Sequence, residues 1–344
     1  MTEGPKKQRK PKKEHKSFKQ KREEKKQKKI ELMTQRDDRN KVLLEEADLS
    51  EMNTQQKIIV FIKLVFYAGK PFFIYIFSPA IAIAMGGILY YGWSFTSKEE
   101  YITTAGNFYS FIGICFALFW IFRNSRMRGK TVREEVSISF KGVEPKMLLL
   151  LFAGGFAASF AISALYTLLP DALMKGYDSY TANVYSGYDM TLALVSIALL
   201  DPIAEEIVFR GYMLNRLLPR LKETRAVWTV TILFSLCHVS PLWIIYGVAM
   251  GYVLAKISIR HDNILHSIAI HIGFNLTSVV CYLVMMNETA NEILFGNKLM
   301  ILLYFIVFSG LTVLVVRKYC GLENIELPSL TELTLKRASK KRGQ

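Results

Sequence analysis

One stretch near the middle of the 344-residue chain gathers the groups best able to do chemistry: Asp201-Pro-Ile-Ala-Glu-Glu-Ile-Val-Phe-Arg210. It follows an apolar run from Met190 to Leu200. On a helix, Glu206 and Arg210 are four residues apart and share a face, so they can pair. A buried carboxylate without a partner is costly, and Arg210 is the nearest candidate for Glu206. Glu205 is turned away by one residue step and stays free for chemistry. Asp201, one turn earlier, shares its face and is expected to line a wet cavity at most. Pro202 removes one helical hydrogen bond and is expected to kink the helix. At the end of a soluble helix such a group of charges would be ordinary. At membrane depth ionisable groups are costly and are kept mainly for function, as in a reaction or an ion relay.

The histidines extend the pattern. Of the five in the chain, His15 lies in a basic tail and His261 in a short polar connection. His238 closes Phe234-Ser-Leu-Cys-His238, and His271 precedes Asn275 by one turn, so those two side chains share a face. His266, five residues before His271, points well away from it. A lone intramembrane histidine is as often a hydrogen-bonded core residue as a functional one. Three segments that supply a glutamate, a histidine, and a histidine with an asparagine make coincidence harder to sustain.

The elements that must position these residues read as membrane spans. Hydrophobic residues make up 51% of the chain, yet the net charge is +15. Segregation reconciles the two, because basic residues crowd into the first thirty or so positions, the loops and the last ten. Long apolar segments recur between short polar connections, which excludes a soluble one- or two-domain protein and predicts an all-α, polytopic transmembrane bundle. The spans fall at about 72–95, 101–122, 147–169, 190–214, 226–240, 242–259, 263–287 and 299–316, the fifth being short for the ~30 Å of hydrocarbon. Tyr90, Tyr91 and Trp93 close the first and Trp120 the second, as interfacial aromatics do. Before them, 57–70 is apolar but short and lysine-flanked, and is expected to lie in the interface. Basic residues concentrate in Arg123–Lys146, in Arg216, Arg220, Lys222 and Arg225, in Lys256 and Arg260, and at the C-terminus. The positive-inside rule then puts both termini in the cytoplasm, with eight spans. Gly247 and Gly251 form a GxxxG, and Gly154, Gly155, Ala158 and Ser159 a small-residue stripe, both suited to close helix packing.

Three regions result: a basic, disordered cytoplasmic tail at 1–56, the bundle at 57–316, and a basic cytoplasmic tail at 317–344. The N-terminal lysines are expected to meet anionic lipid headgroups. Without stacking aromatics they do not suggest a nucleic-acid partner. Cys115, Cys237, Cys281 and Cys320 suggest neither a disulfide framework nor a zinc knuckle. No cleavable signal peptide is expected, since no apolar core follows the first lysines.

Glu-Glu-x-x-x-Arg at 205–210, Phe-x-x-x-His at 234–238 and His-x-x-x-Asn at 271–275 together resemble the CPBP (CAAX protease and bacteriocin-processing, or Abi) family. These are intramembrane endopeptidases related to the type II CAAX prenyl protease. The resemblance covers roughly 147–290, and Phe209-Arg-Gly-Tyr-Met-Leu214 is also similar. It implies proteolysis of a membrane-associated protein or peptide in the cell membrane. Glu205 would be the base that activates water and His238 would help to position it, while His271 and Asn275 would donate to the oxyanion. Glu206, Arg210 and Phe234 would support the site. The resemblance leaves metal dependence open. Glu205, His238 and His271 are the types of a His₂Glu zinc set, but there is no His-Glu-x-x-His helix, and a metal-independent glutamate mechanism with no required cofactor is favoured. Two other classes stay in view: a non-cleaving immunity or scaffold protein of the same fold, and a transporter using the buried charges as a relay, although no internal repeat supports the latter.

Overall fold

A computed structural model describes residues 52–91, 107–127, 131–185, 192, 194–238 and 240–320, with Glu24, Gln27, Lys28 and Glu31. Nearly all of the N-terminal tail, the C-terminal tail after Cys320, Trp93 and the 96–101 connection lie outside the described residues. The rest is a polytopic helical bundle, with no strand among the described residues. In chain order the helices are α1 (Thr54–Ala68), α2 (Lys70–Tyr91), α3 (Asn107–Met127), α4 (Val132–Val136), α5 (Pro145–Leu168) and α6 (Asp171–Tyr185). A composite helix, α7, joins Leu194–Leu200, Asp201–Glu206, Ile207–Leu214 and Asn215–Leu217 end to end. There follow α8 (Glu223–Leu236), α9 (Pro241–His261), α10 (Ile264–Met285), α11 (Glu288–Phe295) and α12 (Lys298–Cys320).

Six helices (α2, α3, α5, α9, α10 and α12) are long and apolar enough to cross a bilayer. Leu89 of α2 and Leu299 of α12 are 77% and 75% exposed, and Phe116, Phe119 and Leu314 are exposed with them. A soluble monomer rarely shows such broad apolar faces; against lipid they are at no disadvantage. The other two expected spans fall on α7 and α8. Helix α8 has 14 residues, about 21 Å at 1.5 Å per residue. It stops at Leu236 rather than running to Ser240 as expected, and Cys237 and His238 turn the chain into α9. Non-helical backbone at membrane depth is tolerated where it is covered by protein or faces a cavity.

Some expected connections carry helices of their own. Thr131 and Glu134 form a reciprocal capping box that starts α4, and the Asn287 side chain caps α11 through the Ala290 amide. Helix α6, in the expected 170–189 loop, buries Met174 and Tyr185. Helix α1, in the segment expected at the interface, buries Leu64 and Ala68 while exposing Ile58, Ile59, Ile62 and Phe66.

Close packing fixes the helix that carries His271 and Asn275. Helix α10 lies against α5. A Cβ added at Gly155 would collide with the Ile270 carbonyl, and one at Gly273 with the Phe152 carbonyl. The two backbones therefore touch on both sides of His271, the small-residue contact on which membrane helices rely.

Candidate active site

The centre of the site is a fully buried ion pair. Glu206 ends the α-helical 201–206 and Arg210 lies four residues on, in the π-helical 207–214; Arg210 Nη1 donates to Glu206 Oε1 at 2.6 Å with both side chains at 0% exposure. Two further contacts hold the guanidinium. Arg210 Nη2 donates to the Gly251 carbonyl at 3.0 Å, and the guanidinium lies 4.5 Å from the Phe234 ring centroid. A side chain at Gly251 would press on Phe234, since its Cβ would stand 3.0 Å from Cδ1. The second glycine of the GxxxG thus keeps this carbonyl within reach of Arg210.

Glu206 Oε1 also accepts from His271 Nδ1 at 2.9 Å. His271 is almost fully buried, and its other nitrogen, Nε2, stands 3.6 Å from Glu205 Oε2. That separation is ionic contact rather than a hydrogen bond. With the ionised Glu206 accepting at Nδ1, this nitrogen carries a proton, and Nε2 carries one only in the imidazolium. Glu205 itself is 16% exposed at its side chain, and its Oε1 accepts from the Tyr75 hydroxyl of α2 at 3.2 Å.

His238 and Asn275 approach from the other side. Because α8 ends early, His238 sits in the turn and its Nδ1 donates to the Phe234 carbonyl at 3.0 Å, capping the helix end and leaving Nε2 with its lone pair. Asn275 Nδ2 donates to the Ile197 carbonyl at 3.0 Å, in the first π-helical part of α7. A π-helical turn holds one more residue than an α-turn, and such segments often mark functional sites. His238, His271 and Asn275 line one cavity of about 50 Å³ together with Tyr185, Trp243 and Tyr246. That is ample for water, which needs about 10–15 Å³ by the same measure. Glu205 does not line the cavity itself and adjoins it through His271. Phe234 meets His238 and His271 edge-on, with centroids 5.0 and 5.8 Å apart.

Asp201 does not line this cavity, and its Oδ1 is buried with no hydrogen-bond partner among the described residues. His266 stacks on His261 at 4.4 Å and bonds the Asn263 carbonyl, away from the glutamates. Among the described residues, no three His, Cys, Asp or Glu side chains gather closely enough to hold a metal ion. Glu205 and His271 approach each other, but His238 is not close enough to both to complete a three-ligand set. Sequence reasoning passed over Tyr75 and the Ile197 and Gly251 carbonyls. A tyrosine in the apolar run Phe72–Phe77 was a usable signal, because a buried phenol seeks a partner; the carbonyls carry no sequence signal.

Among curated proteins and among solved structures, none matches the chain. Residues 188–277 match the family model described as type II CAAX prenyl endopeptidase Rce1-like. That segment contains every one of Glu205, Glu206, Arg210, Phe234, His238, His271 and Asn275, so the match falls on the same residues that carry the resemblance to the membrane-protease family.

Proposed function

We propose that this protein is an intramembrane endopeptidase of the cell membrane, cutting a peptide bond in a membrane-associated protein or peptide with Glu205 as general base. The observation that carries the reading is convergence: His238, His271 and Asn275 face one water-sized cavity, with Glu205 at 3.6 Å from His271. A water that enters between the cavity and Glu205 Oε2, which stands 3.6 Å from His271 Nε2, attacks the carbonyl carbon while its proton passes to the Glu205 carboxylate. His238 Nε2, free to accept, holds that water. The developing oxyanion accepts hydrogen bonds from Asn275 Nδ2 and from the imidazolium Nε2–H of His271, whose charge Glu206 supports from the Nδ1 side. Glu205 then returns its proton to the amide nitrogen as the C–N bond breaks, giving a carboxylic acid and an amine. An oxyanion donor of this kind is worth about 10²–10³ in rate.

The reading includes eight spans with both termini cytoplasmic, and a mechanism that works without metal. It predicts that 1,10-phenanthroline leaves cleavage unchanged; loss of activity restored by added zinc would contradict that part. The test of the function compares peptides released or shortened in cells expressing wild type or Glu205→Ala. The expected result is a set of membrane-derived products made by wild type alone. Identical peptide populations, with both proteins present in the membrane at equal levels, would refute it.

A further inference from the structure

We infer that Tyr75 is a positioning residue for Glu205, supplied by a helix outside the family-matched segment. The inference rests on the proposed role of Glu205 as base. Helix α2 packs against the second π-helical part of α7, which begins just after Glu206. Tyr75 is buried in the main core, and its hydroxyl donates to Glu205 Oε1 at 3.2 Å. The two oxygens of one carboxylate are therefore held from opposite sides, Oε1 by α2 and Oε2 beside His271 of α10.

The terminal torsion of a glutamate is broad and nearly two-fold. Without a donor on one oxygen, the carboxylate plane can turn and carry both oxygens away from His271. With Tyr75 in place one oxygen is occupied and the other is held beside His271. Tyr75 keeps its proton throughout, since it orients the base and exchanges nothing with substrate. Its neighbours are compatible with this role: Glu206 is engaged by Arg210 and His271, so it does not compete for the phenol.

The test uses full-length protein in proteoliposomes, as wild type, Tyr75→Phe and Glu205→Gln. Tyr75→Phe keeps the packed ring and removes only the hydroxyl. The first measurement is modification by dicyclohexylcarbodiimide, an apolar reagent that attacks carboxyl groups within membranes, located by mass spectrometry, with Glu205→Gln as the blank. Loss of one hydrogen bond to a charged group corresponds to about tenfold faster labelling at Glu205, with labelling at Asp201 and Glu206 unchanged. The second is cleavage of a peptide that wild type cuts and Glu205→Ala does not. There kcat falls about ten- to a hundredfold with KM unchanged. Unchanged labelling at Glu205 overturns the inference whatever the cleavage assay gives. Faster labelling at all three carboxylates, or unchanged kcat, overturns it equally, because the hydroxyl would then act on packing or on nothing. If no peptide distinguishes wild type from Glu205→Ala, the protease reading fails, while the labelling still decides whether Tyr75 holds Glu205.

Discussion

Arg210 has no access to solvent and spends its charge on Glu206, the Gly251 carbonyl and the face of Phe234. Removing one member of such a pair strands the other charge in a place where it cannot be hydrated. Arg210→Met should therefore lower stability by about 3–5 kcal/mol, read as a lower thermal midpoint in detergent. Asn275→Ala should behave differently: its stability changes little, and kcat falls by about 10²–10³, measured on a peptide that wild type cuts. The Glu206–Arg210 contact was legible because four residues on a helix fix it. The His271–Glu206 bond was not, since 65 residues separate the partners and only the fold brings them together. Tyr75 was hidden for the same reason, 130 residues from Glu205.

The elements show where helical periodicity is a sufficient guide and where it fails. Ordinary α-helical spacing described 201–206, but α7 is π-helical on both sides, and no residue type there announces it. The wider turn leaves Ile197 O for Asn275. The early end of α8 was half visible, because the segment was short for a span, but the turn that places His238 at the cavity was not. The small-residue stripe was read as packing, and its specific use is the contact between α5 and α10. Gly155→Leu drives a side chain into the Ile270 carbonyl, one residue from His271. It should destabilise by about 1–3 kcal/mol or more, and should also lower activity by displacing His271. Gly176→Ala on α6, where an added Cβ meets nothing within 4 Å, is the control and should leave both unchanged.

At the scale of the whole molecule, hydropathy carried most of the information. The recurring apolar runs foretold the membrane bundle, and six of the helices have the length and apolarity for it. Helices such as α4, α6 and α11 went unread because capping and amphipathic signals are weak beside a long apolar run. The proposed eight-span arrangement predicts that reporters fused to the two ends give the same, cytoplasmic, signal; opposite signals would require an odd number of crossings. The central claim is that Glu205 activates the water that cuts a peptide bond. It is tested most directly by the cleavage rate of purified wild type and Glu205→Gln in proteoliposomes, on a membrane peptide shortened only in wild-type cells. The account predicts cleavage by wild type and a fall of about 10²–10⁴ for the variant; equal rates, or movement of a solute by a protein that never cuts the peptide, would contradict it.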